Sequence, residues 1–283
     1  MLGARRPAHI GEIWAIHGVG DKVLFRGDHH IFRYDGHDID IIPLPAKSST
    51  TNVIGGKLYI GLEGRGLFWL NDSQIVPVEG NSLIADKRVV AALPWGDHSV
   101  MAITAFDGIY RLDRDGLSEY PMPITPFLKE NQVFSAAGNG SQYAFGTVNR
   151  GLVVHDFDTG TDSYANMATG MQNNTVLAVA FDARGNIWAG LDNGIDYILC
   201  NSPMGLLSGI STGYGAGYAA SIFGNRLYLG TNQGLFTLPY PQADAPTPAT
   251  PAQLLKGQVW NLKEIDGTLL VCTDAGLYQH TPT

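Results

Sequence analysis

Short runs in which apolar and polar residues alternate fill the chain. Leu58-Tyr59-Ile60 and Val176-Leu177-Ala178-Val179 are typical, and Gly, Asn or Asp interrupts such runs about every 8 to 12 residues. No segment keeps apolar residues at spacings of 3, 4 and 7 between good helix caps. Period two with frequent turn residues predicts strands throughout. The strands also recur as a unit. NIWAGLDNGI (186–195) and RLYLGTNQGL (226–235) are the clearest copies. Looser ones begin at Lys57, Ser99, Gln142 and Leu269, and VLFRGDHHIF from Val23 is the most altered. The aliphatic residue after the turn marks each copy: Ile31, Leu67, Ile109, Leu152, Ile195, Leu235 and Leu277, at spacings of 36, 42, 43, 43, 40 and 42 residues.

A unit of about 41 residues made of four short strands is the length of a propeller blade, and the strand period excludes a helical solenoid. The predicted fold is therefore all-β, a seven-bladed β-propeller of four-stranded antiparallel blades in a single domain, 1–283. The units run 11–50, 51–87, 88–130, 131–172, 173–215, 216–256 and 257–283, and residues near His9 and Ile10 supply the last outer strand if the ring closes. Inner strands are expected at 12–16, 53–54, 89–93, 132–136, 175–181, 218–223 and 258–262. The turn after each second strand ends in Gly66, Gly108, Gly151, Gly194, Gly234 or Gly276, where positive φ is expected; in the first unit His30 takes that place. The stretch 239–251, PYPQADAPTPATP, reads as an exposed loop inside the sixth unit.

Composition agrees with this and narrows the function. Of 283 residues, 35 are Gly, well above the usual share, and 45% hydrophobic content is enough for a sizeable core. The formal charge of −8 repels phosphate backbones and anionic lipid, so neither nucleic acid nor a membrane surface is expected as partner. The longest uncharged stretch, 197–225, is broken by Pro203 and glycines and is no membrane span. The opening MLGARRPAHIGEIW has no apolar run, so no signal peptide is expected in it. Cys200 and Cys272 are expected as buried free thiols.

Motifs for chemistry are sparse. No cofactor and no metal site is expected: His29 and His30 are adjacent, and neighbours on extended backbone point apart. The GYGAGYAAS run from Gly213 lacks the helix and acidic residue of a dinucleotide loop, so a turn entering an inner strand is expected. Glu63, Asp107, Asp192 and Asp274 occupy equivalent turns. Turn formation explains them, while a glycosidase or polysaccharide lyase would need two of them to converge. Asn71, Asn139 and Asn173 begin N-x-S/T triplets that turn chemistry also explains. Trp14, Trp188 and Trp260 are expected in inter-blade packing, and Trp95 is expected exposed in a turn on the opposite rim. Arg26 fills the slot held elsewhere by Gly61, Gly146, Gly190 and Gly230, where a long cation needs a carboxylate, solvent or a ligand.

Asn173-Asn174-Thr175-Val176-Leu177 followed by FDARGNIWAGLDNGIDYI, and LYLGTNQGLF from Leu227, resemble the two-component regulator propeller repeat of bacterial hybrid histidine kinases and triple-tyrosine transcriptional regulators. WD40 and kelch arrays and the sialidase Asp-box fit worse. The resemblance implies a periplasmic or other extracytoplasmic sensor, often for glycan breakdown products, acting through a kinase or DNA-binding output domain. The chain is accordingly expected to be a non-catalytic sensor module for a small-molecule or oligosaccharide ligand. A propeller enzyme, or a module that binds protein or dimerises through a flat face, is the alternative. One rim should carry the ligand contacts: Asp28, His29, Glu63, Arg65, Asp107, Asn149, Arg150, Asp192, Asn193, Asn232, Gln233 and Asp274, with Arg26 and Trp95 as further candidates. Amide and carboxylate groups beside aromatic rings suit a neutral carbohydrate.

Overall fold

The computed structural model describes residues 10–200, 213–240 and 249–281. Seven antiparallel sheets follow one another along the chain. The first contains β1 (Ile13–Val19), β2 (Lys22–Gly27), β3 (His30–Tyr34) and β4 (Ile39–Pro43). The second contains β5 (Ser48–Ile54), β6 (Lys57–Leu62), β7 (Gly66–Asn71) and β8 (Gln74–Pro77). The third contains β9 (Val89–Trp95), β10 (Ser99–Thr104), β11 (Ile109–Asp113) and β12 (Gly116–Glu119), and a helix, α1 (Thr125–Asn131), leads out of it. The fourth contains β13 (Val133–Gly138), β14 (Gln142–Thr147), β15 (Leu152–Asp156) and β16 (Thr161–Ala165). The fifth has β17 (Val176–Phe181), β18 (Ile187–Leu191) and β19 (Ile195–Ile198). The sixth has β20 (Gly217–Phe223), β21 (Arg226–Thr231), β22 (Gly234–Pro239) and β23 (Ala252–Lys256), and the seventh β24 (Val259–Ile265), β25 (Thr268–Thr273) and β26 (Gly276–His280). Strand order equals chain order in every sheet, as in the blades of a β-propeller.

The chain divides into two compact units, the first built on 10–162 and 172–200, the second on 163–171, 213–240 and 249–281. Within the first, β1 packs on β5, β5 on β9, β9 on β13 and β13 on β17; within the second, β20 packs on β24. The core therefore lies between sheets. Leu24, Ile31 and Ile42 of the first sheet meet Leu58, Ile60 and Leu62 of the second. Leu67 and Val78 meet Val89, Ala92, Val100 and Ala102 of the third. In the second unit Tyr228 and Leu235 meet Val259, Leu262, Leu269 and Val271. Each buried aliphatic side chain contributes roughly 1.5–3 kcal/mol.

Several expectations are corrected. The inner strand of the second sheet begins at Ser48, five residues before the expected Val53. Its polar side chains bond to neighbouring backbone: Ser48 Oγ donates to Gly27 O (2.8 Å) and Ser49 Oγ to Val89 O (2.7 Å), and Asn52 Nδ2 donates to Ala92 O (2.5 Å). Helix α1 was not expected; Pro126 lies in its first turn, where a missing N–H costs nothing. His30 is not in a left-handed conformation; it is the first residue of β3, paired with Pro43. The fifth and seventh sheets have three strands, not four, among the described residues. Ile10 is in no strand, while His9 and residues 241–248 of the proline-rich loop lie outside the described residues. Cys200 and Cys272 are free, as expected, but Cys200 is only half-buried and Cys272 is exposed.

The turn glycines do adopt positive φ, from +79° at Gly151 to +151° at Gly234. A different constraint acts at Gly146 and Gly230, where added Cβ atoms would stand 2.7 Å from the Cγ1 atoms of Val176 and Val259 on the next inner strand. Gly230→Ala is expected to cost about 1–3 kcal/mol through overpacking. Gly217→Ala, with nothing within 4 Å, should cost nothing comparable. Urea midpoints of the two variants check this.

Candidate functional site

Chain reversal after each second strand places seven turns at the same end of their sheets as the starts of the inner strands. Two devices hold these turns through their backbone. The first is a cross-strand bond: the N–H after the second strand donates to the carbonyl preceding the inner strand, as in Glu63 to Lys47 (2.9 Å), Ala105 to Arg88 (2.9 Å), Asp192 to Thr175 (3.1 Å), Asn232 to Ala216 (3.0 Å) and Asp274 to Gln258 (3.1 Å). The second is a threonine that closes the turn on itself. Thr104 Oγ1 donates to Gly108 O (2.7 Å) and accepts from Asp107 N (3.0 Å). Thr147 serves Gly151 O and Arg150 N in the same way, Thr231 serves Gly234 O and Gln233 N, and Thr273 serves Gly276 O and Ala275 N. This threonine was visible in the strings TAFDG, TVNRG, TNQG and TDAG and was not used.

With the backbone tied off, the side chains of most expected rim residues stand free. His29, Glu63, Arg65, Asn149, Arg150, Asp192, Asn193, Gln233 and Asp274 are exposed, while Asp28, Asp107 and Asn232 are half-buried. Some carry structural bonds. Asp107 lies 3.6 Å from Lys87, Asn232 Oδ1 accepts from Ala216 N, and Asp274 Oδ1 accepts from Gln258 N. Asp28 is the most engaged: its Oδ1 accepts from Trp14 Nε1 (3.0 Å) and lies 3.6 Å from Lys47 Nζ. Asp28, Lys47 and Glu63 are thus brought together in the first unit. Among the described residues no group of three His, Cys, Asp or Glu is placed to hold a metal ion.

The aromatic component was misplaced by sequence reasoning. In all seven sheets the pairing of the two innermost strands slips near the start of the inner strand. The unpaired residues are Trp14, Ser49, Val90, Phe134, Leu177, Tyr218 and Trp260. A bulge of this kind turns one side chain out of the regular alternation. Five of the seven are large and apolar, yet stay exposed: Trp14 by 54%, Phe134 and Leu177 by 39%, Tyr218 by 47% and Trp260 by 49%. Tyr218 and Trp260 stack with centroids 5.0 Å apart and planes 23° from parallel. Trp14 is therefore not a packing residue, Trp260 packs on Tyr218 of the neighbouring sheet while half exposed, and Trp188 is also exposed, 4.7 Å from Tyr197. Trp95 ends β9 at the far end from this rim and is wedged between Tyr120 (4.4 Å) and Phe157 (5.3 Å). It is half-buried, not the free turn residue expected.

Arg26 lies beneath this rim, paired with Ala15 and Ile31. Burial lowers its pKa from the ordinary guanidinium range, and the negative charge of Asp28 works against that; the guanidinium stays charged. His17 lies in the same seam, its Nε2 2.8 Å from Thr51 Oγ1. Burial first, and the Arg26 charge second, lower the His17 pKa below 6.5. Two clefts lie elsewhere in the first unit and contain none of the expected rim residues. One, of about 280 Å³, is lined by Tyr59, Trp69 and His98, with Lys57 Nζ 4.6 Å above the Trp69 ring; the other, of about 520 Å³, is lined by Lys22, Arg33 and Asp72.

No protein-family model matches the chain, and no curated protein matches it. Solved structures do. The extracellular domain assigned to the hybrid two-component system BT3049 of B. thetaiotaomicron aligns over 99% of this chain at 14% identity and a TM-score of 0.56. The extracellular domain assigned to the one-component system BT4673 of the same organism aligns over 95% at 17% identity and 0.54. The chain shares its fold with these sensor domains. It spans only 41% and 40% of their respective lengths. The β-propeller domain of Myceliophteria thermophila Cps50 (Swd1) aligns over 96% of this chain and 97% of its own, at 13% identity and 0.52. The expected propeller is therefore confirmed as the fold.

Two outcomes follow for the rim. Thr147→Val should lower stability by about 1 kcal/mol, because it strands the Arg150 N–H and leaves the Gly151 carbonyl with only the Thr147 N–H as donor, and a urea titration reads this directly. The folded His17 holds its proton more weakly than the unfolded chain, so the stability it contributes is complete above pH 6.5 and is lost as pH falls through the lowered folded value. His17→Gln should therefore flatten the stability profile below pH 6.5 relative to wild type.

Proposed function

We propose that the chain is a non-catalytic ligand-sensing propeller module, the extracytoplasmic part of a bacterial signal-transduction or transcription regulator, with a carbohydrate as its ligand. The observation that carries this reading is the bulge of the inner strands, which exposes Trp14 and Phe134 in the first unit and Tyr218 and Trp260 in the second, in each case beside turns whose backbone is already satisfied. An exposed ring costs free energy in water and recovers it against the apolar face of a sugar, while free amides and carboxylates such as Asn193, Asp192 and Glu63 meet the hydroxyls. Fold likeness to extracellular sensor domains supports the sensing role. A kinase or DNA-binding output domain in the full-length regulator would read the bound state.

Isothermal titration of the chain against a panel of neutral and acidic oligosaccharides tests the proposal. Binding of at least one glycan is expected, weakened roughly tenfold by Trp260→Ala, the equivalent of about 1.4 kcal/mol. No heat with any glycan overturns the carbohydrate assignment. Turnover of a bound glycan that disappears in Glu63→Gln or Asp192→Asn overturns the non-catalytic one.

A further inference from the structure

The seam between the first two sheets departs from the others in two positions at once. Where the second strand carries Gly61, Gly146 or Gly230, the missing Cβ faces the first residue of the next inner strand, Val89, Val176 or Val259. In the first sheet the glycine slot holds Arg26, and the residue opened by the next inner strand is Ser48. A large cation and a small polar residue thus replace glycine and valine in one seam. His17 and Thr51 extend the polar strip along it.

The guanidinium is not satisfied there. Nε and Nη1 of Arg26 are buried and make no hydrogen bond. Ser48 Oγ is committed to Gly27 O. Asp28, whose charge Arg26 senses, is held by Trp14 and Lys47, and no carboxylate lies within 4.0 Å of the guanidinium among the described residues. A half-buried, charged, forked donor with two buried nitrogens unpaired is costly to maintain, and an oxyanion satisfies it.

We propose that Arg26 is a carboxylate-binding subsite that takes the acidic group of a ligand held at the rim. A single negative charge balances the one uncompensated cation, whereas a dianionic phosphate or sulfate would leave an excess charge facing Asp28. The planar fork of Arg26 matches the two oxygens of a carboxylate. This rests on the rim being the ligand site and makes acidic sugars the substrate class, where sequence alone favoured neutral ones.

The test uses the intact chain at constant ionic strength, with acetate, sulfate, glucose and glucuronate as probes. Acetate reports on the subsite alone: it should raise the melting temperature of wild type and leave Arg26→Met unmoved. Glucuronate should bind more tightly than glucose, and Arg26→Met and Arg26→Lys should each lose roughly tenfold or more of that affinity, Lys because it lacks the fork. Arg26→Met should also fold at least as stably as wild type in the absence of ligand, since it removes an unpaired buried charge. Glucuronate affinity unchanged in Arg26→Met, or no acetate response in wild type together with a destabilised Arg26→Met, overturns the proposal in favour of a packing role. A sulfate response equal to that of acetate overturns the carboxylate assignment. Loss of neutral-glycan binding with the acetate response intact would instead count against the rim reading alone.

Discussion

A sheet of three or four short strands has two apolar faces and cannot bury either against itself. Each sheet hides its residues only by lying on the next, and this single requirement organises the rest. It explains why the buried clusters bridge sheets, why second strands are apolar along most of their length, and why the approach of the innermost strands is so close. Gly146 and Gly230 sit where that approach leaves no room for a methyl group. Overlap there would push apart the same contacts, such as Tyr228 with Val259, that supply the stability.

Close packing at the inner strands also generates the site. Every inner strand must enter at the rim end beside the turn of its own sheet, and the backbone groups at that crossing are satisfied by the bond from the turn to the residue preceding the strand and, in four sheets, by a threonine. The bulge that follows absorbs one residue too many for regular pairing and directs it out of the sheet. Turns whose backbone groups are satisfied in this way leave their side chains free to project. The residues at the seven equivalent bulge positions vary from Trp14 to Ser49.

Variation at equivalent positions is the source of function on a fold that hosts many functions. Sequence identities of 14% and 17% with propellers of common architecture say that little beyond packing is shared. The exceptional positions therefore carry the information. The slot is glycine in four sheets and apolar or thiol in two, Ile103 and Cys272; Arg26 alone puts a charge there, beside the polar inner strand from Ser48.

Period-two patterning and the spacing of Gly108, Gly194 and Gly276 determined the number of sheets, their strand order and the turn conformations, because these depend on local backbone preference and on alternation alone. The same information was silent on the inner strand at Ser48, whose polar residues fold as a strand only because Gly27, Val89 and Ala92 offer carbonyls across the seams. It also reversed two tryptophans: Trp14 reads as a packing residue if alternation continues through the strand start, and Trp95 reads as a turn because Pro94 precedes it and Gly96 follows. Which side chain a bulge turns outward, and which aromatic finds partners such as Tyr120 and Phe157, is decided by neighbours far along the chain. That these residues fall in the turns after the second strands was legible in the sequence; the orientation and partners of each side chain belonged to the tertiary structure.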